Sequence, residues 1–426
     1  MKDLFKTIIH DFQQTLPVKA VQPRELNVPV DSGKIVSLIG PRRSGKTYFF
    51  YQLINRLLQR ISPEKIVYIN FEDERLDIRK ENLQFIIDAY FELYPEISSA
   101  DIFFFFDEIQ EIEGWEKFVR RIYDTVSKNI FITGSSAKML GKEIATHLRG
   151  RPLVYQLFPL SFKEFCQFNG VDISDIHSTR GKARLRKNFQ HYLSVGGFPE
   201  IPFLQPELIS KTLQSYFDVM MFRDIIERQQ VRNIPVLKYF IKRLFNTIGA
   251  EFSISKIFNE LKSLGFHVSK DKLYRFLEYV TDSLMFFIHL PYEASVTKSQ
   301  MTNKKIYAID VGLANAVTFR YSSDYGKLLE NVVFLHFARQ DRETYFLRNS
   351  FECDFVVDQP GERSAVQVAY SLSEPITRQR EVNSLLKAMH RLNLSQGLII
   401  TADEKETLKI ADKQIDILPA WEWLLT

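Results

Sequence analysis

The sequence predicts an α/β protein. Its N-terminal core should be a parallel sheet with a phosphate-binding loop, and helices, a helix-plus-hairpin segment and a second α/β domain should follow. Three observations predict this. Residues 40–47 read G-P-R-R-S-G-K-T between an apolar run and a helically spaced stretch. A second apolar run, Ile102-Phe103-Phe104-Phe105-Phe106, ends in Asp107-Glu108. The C-terminal part alternates strand-like and helical segments. A strand apolar on both faces belongs inside a parallel sheet with helices above and below.

In chain order, Lys34-Ile35-Val36-Ser37-Leu38-Ile39 suits a buried strand and Tyr48 to Arg60 has helical spacing. The stretch between them fits G-x-x-x-x-G-K-[S/T], the Walker A pattern, at every fixed position. Glycines let successive backbone N–H groups face phosphate oxygens, and the helix N-terminus adds a favourable dipole. The pattern therefore assigns Gly40, Pro41, Arg42, Arg43, Ser44, Gly45, Lys46 and Thr47 to a nucleoside triphosphate. Lys46 would reach the β- and γ-phosphates and the Thr47 hydroxyl would ligate Mg²⁺. The bland alternative, a glycine-rich turn with a surface lysine, does not account for the flanking strand and helix.

Lys65 to Phe71 is a second strand, followed by the acidic cluster Glu72-Asp73-Glu74 and a mainly helical stretch from Leu76 to Tyr94. Asp107, at the end of the next strand, would hold Mg²⁺ as a Walker B carboxylate. Glu108 could activate the attacking water. The strand-plus-helix unit between the two motifs, residues 65 to 94, favours the ATPase branch of P-loop folds over nucleotide kinases. In that branch a further strand lies between the two motif strands and carries a polar sensor. Asn129 to Ser136 fits such a strand, with Ser135 as the γ-phosphate sensor, although Ser135 and Ser136 serve equally as the N-cap of a helix from Ala137. Leu148-Arg149-Gly150-Arg151 then precedes the strand Leu153 to Leu157. Arg149 or Arg151 could stabilise transition-state charge in cis or across a subunit interface, with solvated surface arginines as the equal alternative.

Whole-chain features bound the reading. With 56 Lys and Arg against 52 Asp and Glu, the formal charge of +4 identifies no polyanion partner, so any nucleic-acid contact must be local. Cys166 and Cys353 lie far apart, and the 8 histidines are scattered, so neither a disulfide framework nor a zinc site is implied. The N-terminus lacks the apolar core of a signal peptide, and no uninterrupted apolar span is long enough to cross a membrane. A cytoplasmic protein without membrane contact is expected.

Taken together, G-P-R-R-S-G-K-T, I-N-F-E-D-E-R-L, F-F-D-E-I-Q, I-T-G-S-S-A, L-R-G-R and F-P-L-S-F-K-E-F resemble one family in this order. It is the archaeal-type AAA+-related P-loop ATPases with a C-terminal domain of unknown function. Y-L-S-V-G-G-F-P-E (Tyr192 to Glu200) and M-F-R-D-I-I-E-R (Met221 to Arg228) extend the resemblance over essentially the whole chain. It implies an ATP-binding core over residues 1–160, a helical lid over 161–235, a winged-helix segment over 236–320 and a restriction-endonuclease-like α/β domain over 321–426. ATP and Mg²⁺ are the expected cofactors.

The second half carries signals of its own. Phe162 to Arg228 is rich in helical spacing, broken by Gly196-Gly197 and Pro199. Arg223 and Asp224 suit a helix-surface ion pair better than a second nucleotide sensor. Ser269 can cap a helix carrying Lys270, Lys272 and Arg275 on one face, and Met285 to Leu290 would pair with Lys304 to Ile309 as a wing with Lys298 near its tip. Such a helix with basic side chains can hold DNA. A protein partner or a homo-oligomer is the alternative use. Further on, Glu330 on a helix, Asp354 on a hairpin and the strand Ala365-Val366-Gln367-Val368-Ala369 resemble the PD-(D/E)xK layout. Gln367 and Ala369 stand where that layout has glutamate and lysine. Metal-dependent cutting should therefore be lost unless a lysine migrates in from elsewhere.

Overall fold

The computed structural model describes residues 1–135, 148–293, 303–318, 324–348 and 350–426. The chain forms two compact units, Met1–Leu157 and Phe158–Thr426.

In the first unit, helix α1 (Lys2–Gln14) precedes strand β1 (Ile35–Ile39), helix α2 (Lys46–Leu57), strand β2 (Ile66–Asn70) and helix α3 (Gln84–Leu93). Strand β3 (Phe103–Asp107), helix α4 (Trp115–Thr125), β4 (Asn129–Gly134) and β5 (Pro152–Gln156) complete it. The sheet order is β2-β3-β4-β1-β5 and every pairing is parallel. Phe104, Phe105 and Phe106 are all fully buried, as a strand covered on both faces requires. The Phe105 and Phe131 rings stack at 4.6 Å across the β3–β4 pair.

Helix α1 carries no motif, yet it has a clear task. Gln13 Nε2 donates to the Ile66 carbonyl at 2.8 Å, and Phe12 stacks on Tyr68 at 4.3 Å. Both contacts cover the open edge of β2, which would otherwise present unpaired backbone groups. The stretch expected to be helical from Leu76 is helical only over Gln84–Leu93, after a short turn at Lys80–Asn82.

The second unit begins with α5 (Phe162–Phe168), α6 (Thr179–Val195) and α7 (Pro206–Val219), which runs into a wide π-type turn at Met220–Glu227. Helix α8 (Ile234–Phe245), strand β6 (Glu251–Phe252), helices α9 (Ile254–Ser263) and α10 (Lys270–Asp282), and the strands β7 (Phe286–His289) and β8 (Lys304–Ala308) follow. These three strands form a sheet in the order β6-β8-β7. Lys298 lies outside the described residues.

After α11 (Val311–Val317) and α12 (Tyr325–Arg339) comes a mixed six-stranded sheet of order β13-β14-β12-β11-β10-β9. Its strands are β9 (Thr344–Arg348), β10 (Glu352–Gln359), β11 (Glu362–Val368), β12 (Gln396–Thr401), β13 (Glu406–Ile410) and β14 (Lys413–Pro419). Helix α13 (Pro375–Leu392) separates β11 from β12, and α14 (Ala420–Trp423) ends the chain. The β13–β14 hairpin extends the sheet beyond β12. Edge strand β13 is largely exposed and reads E-T-L-K-I, so it lacks the apolar run that marks a buried strand.

One apolar core gathers side chains from helices α5 to α7, the helix–hairpin segment and the C-terminal sheet, so these segments pack as one body. An interlock joins the G-G turn after α6 to the start of α11. A Cβ on Gly312 would lie 1.9 Å from the Val195 carbonyl oxygen. Buried Asp310 accepts from the Gly197 and Leu313 N–H groups at 2.7 and 2.8 Å. Among the described residues no helix is long and apolar enough to cross a membrane.

Candidate functional site

The loop 40–47 leaves the C-terminal end of β1, and Asp107 ends β3, with β4 between the two strands. Ligands of open parallel sheets bind beyond this edge. Gly40 is required by close packing, because a Cβ there would lie 2.4 Å from the Leu157 carbonyl oxygen and 2.8 Å from Ser44 Oγ. Arg43 and Gly45 have φ of 67° and 92°, and Gly45 caps α2, so the chain turns through two left-handed residues to start the helix. Arg24 of the N-terminal segment braces the loop by donating to the Ser44 carbonyl at 2.9 Å.

Within the cradle, Thr47 Oγ1 donates to Asp107 Oδ2 at 2.7 Å. Lys46 Nζ lies 3.0 Å from Glu108 Oε1 and donates to the carbonyls of Gly40 and Pro41 at 3.2 and 3.3 Å. Both motifs thus meet at one point. Arg42 pairs with Glu72 of the acidic cluster and lies 3.7 Å from Glu111, so it is held beside the loop. Ser135 is buried just beyond β4, while Ser136 and the stretch from Ala137 lie outside the described residues.

Two residues to which the motifs gave no role complete the centre. Thr133 on β4 donates to Asp107 Oδ1 and accepts from the Glu108 N–H at 2.8 Å. Tyr68 on β2 donates to Asp107 Oδ2 at 2.9 Å. Thr133 lies in the same I-T-G-S-S string as Ser135, two positions earlier, where a threonine inside an apolar strand gives no signal of its own.

Electrostatics separate the two acids. Burial pushes the Asp107 carboxyl up, against the hydrogen bonds from Thr133, Thr47 and Tyr68. Burial acts the same way on Glu108, but the Lys46 charge and the hydrogen bonds from Gln110 and Lys46 outweigh it, leaving its pKa lowered. Glu108 also sits at φ 52°, a left-handed conformation outside glycine that is costly unless its surroundings hold it. The Thr133 contact to its N–H supplies part of that hold.

The Thr47 hydroxyl and the Asp107 carboxylate are hard oxygen donors already within hydrogen-bonding distance, and they suit a Mg²⁺ ion. Among the described residues no group of three or more His, Cys, Asp or Glu is arranged, as it stands, to hold a metal ion.

The arginines stand at the other end of the sheet. β5 runs parallel to β1 with Pro152 opposite Ile35, so Arg149 and Arg151 stand at the end of the sheet away from loop 40–47. A strand of five residues spans roughly 15 Å. Arg151 pairs with Asp124 at 3.0 Å and lies over the Tyr123 ring, while Arg149 is exposed. Neither reaches the cradle of its own chain. Arg223 pairs with Glu227 at 3.1 Å on an exposed helical face.

A family described as an AAA domain matches residues 32–166, and a domain of unknown function matches residues 186–324. An uncharacterized protein of Methanocaldococcus jannaschii is 37% identical over 439 aligned residues, covering 100% of this chain and 96% of that one. An uncharacterized protein of Haemophilus influenzae is 31% identical, covering 93% and 95%. The chain belongs to this AAA-domain family. Its AAA core is a nucleotide-binding P-loop fold. Solved structures are more distant. The Aeropyrum pernix Orc1 protein in complex with DNA aligns over 72% of this chain and 90% of that one, at 13% identity and a TM-score of 0.30, too low to bear on ligands.

Proposed function

We propose that the chain hydrolyses ATP with Mg²⁺ and couples its nucleotide state to conformational change of the C-terminal unit on DNA. The observation that carries the ATPase reading is the 2.7 Å contact between Thr47 and Asp107, which joins the phosphate loop to the acidic strand. In this reading the N–H groups of residues 40–47 cradle the phosphates and Lys46 neutralises the β- and γ-oxygens. Thr47 and Asp107 would hold Mg²⁺, which supplies charge neutralisation on the phosphates. A phosphate oxygen entering the loop competes with Glu108 for the Lys46 ammonium. The released carboxylate can then accept the proton of the attacking water. Ser135, at the end of the intervening strand, is the candidate γ-phosphate sensor. An arginine contribution from Arg149 or Arg151 requires a second copy of the chain, since neither serves its own cradle.

The DNA reading rests on α10. Lys270 and Arg275 are exposed and Lys272 is half-buried, and the three-stranded sheet of the same segment supports a winged-helix reading. A nuclease reading gains no support, because Gln367 Oε1 accepts from the Asp354 N–H and its amide donates to Glu381. The deciding experiment measures ATP hydrolysis with and without Mg²⁺ and with single- and double-stranded DNA over a salt series. DNA-stimulated, salt-sensitive turnover supports the proposal. Hydrolysis indifferent to DNA would point to a switch that recruits a protein partner, and no hydrolysis at all would overturn the ATPase reading.

A further inference from the structure

Lys305, on the hairpin strand β8, is 1% exposed, and its ammonium meets three carboxylates. Nζ lies 2.8 Å from Glu330 of α12, and 3.0 Å from both Glu352 and Asp354 of β10. The ammonium donates to Glu330 and Asp354, and Glu352 adds an ion pair from the more exposed side. Outer contacts fix the acids in turn. Tyr307 donates to Glu330 Oε1 at 2.6 Å, and the Val368 N–H donates to Asp354 Oδ2 at 3.0 Å.

This differs from an ordinary buried ion pair. Three acids converge on one positive charge from two separate elements, which is how oxygen ligands surround a divalent cation. Burial works against the Lys305 charge, but Glu330, Asp354, Tyr307 and Glu352 outweigh it and raise its pKa well above the ordinary lysine value. The three acids thus favour the charged ammonium over the neutral amine. The lysine missing from position 369 has in effect arrived from another strand, but it sits among the carboxylates where a metal ion would sit.

We propose that Lys305 is the resident cation of a carboxylate centre that would otherwise take a divalent metal ion, bolting β8 to α12 and β10 with a tethered charge. A tethered ammonium does not exchange with solvent, so this joint holds at any magnesium level. Metal-ion chemistry is left to the Thr47–Asp107 end of the chain.

The test uses the full-length chain without nucleotide and Mn²⁺ as probe, with free Mn²⁺ followed by electron paramagnetic resonance. Every variant carries Asp107→Asn so that the nucleotide end does not contribute. Lys305→Ala should gain one Mn²⁺ site at least tenfold tighter than any in the Lys305 parent, and adding Asp354→Asn should abolish it. A folded Lys305→Ala that gains no site overturns the proposal. So does a parent that already binds Mn²⁺ at a site that Asp354→Asn removes. If Lys305→Ala is too unstable to titrate, Lys305→Gln keeps the volume without the charge. Its melting temperature should then rise by several degrees with Mn²⁺ while the parent's does not, and equal responses would overturn the assignment.

Discussion

The ammonium of Lys46 lies 3.0 Å from the carboxylate of Glu108, and both groups are buried. The lysine that would neutralise phosphate and the acid that would activate water are thus bound to each other. Glu108→Gln removes the base but keeps a hydrogen-bonding side chain of the same size. Nucleotide binding should persist in this variant while turnover falls by ~10²-fold or more. Lys46→Ala should instead weaken binding itself. Fluorescent-nucleotide titration and phosphate release measure the two effects, and normal turnover in Glu108→Gln removes the base assignment.

Thr133 bridges the two acids, donating to Asp107 and accepting from the Glu108 N–H. Thr133→Val keeps the shape and deletes both hydrogen bonds, leaving a buried N–H unpaired at a cost of about 1–3 kcal/mol. Turnover should drop more than nucleotide affinity, because the affected groups are the acids rather than the loop. Tyr68→Phe removes one hydrogen bond to Asp107 and should be milder, about 1 kcal/mol in denaturant unfolding.

His289 is buried among Tyr307, Phe334, Phe346 and Phe355, and its pKa is pushed down to about 3 by burial and by the nearby Lys305 charge. The folded state keeps this imidazole neutral while the unfolded chain protonates it near 6.5. The unfolded state therefore binds the extra proton, and stability is lost as pH falls below 6.5 toward 3. His289→Phe should remove that loss, giving a relative gain of roughly 2 kcal/mol by pH 5. Asp310, raised to about 6 by burial, works in the opposite direction, so the pH dependence of the difference between wild type and His289→Phe is the quantity to measure.

Gly312 packs its Cα against the Val195 carbonyl, and Gly196 has φ of 76° with the Asp310 carboxylate where a Cβ would go. Gly312→Ala should destabilise the C-terminal unit by several kcal/mol, since backbone cannot yield as a side chain can. Gly170→Ala is the control. Unlike Gly312 it has positive φ, 64°, and open space around it, so it should cost only about 1–2 kcal/mol. Thermal melting of the two variants separates collision from backbone strain.

On the DNA reading, Lys270→Ala, Lys272→Ala and Arg275→Ala should each weaken binding across sequences. Each should also reduce the salt slope by about one for every phosphate it no longer neutralises. Anisotropy titrations at several salt concentrations give that slope. Unchanged affinity in the triple variant removes α10 as the DNA-binding helix.

Legibility in the sequence followed the range of the interaction. Gly40, Lys46 and Thr47 stood out because a phosphate loop needs local backbone geometry, and local geometry leaves local spacing. Helix α1 and the β13–β14 hairpin left no such trace. The first acts through contacts to a distant strand edge, and the second is a charged edge with little apolar patterning.

The order of residues by itself determined a phosphate-binding turn followed by an acidic strand, and with them the class of ligand. Only the tertiary structure decided that Thr133 and Tyr68 bond Asp107, that Arg149 and Arg151 stand at the far end of β5, and that Lys305 enters an acidic centre built by α12 and β10. Those outcomes depend on strand order and register, which arise from packing the whole sheet, and no spacing along the chain records which strands become neighbours.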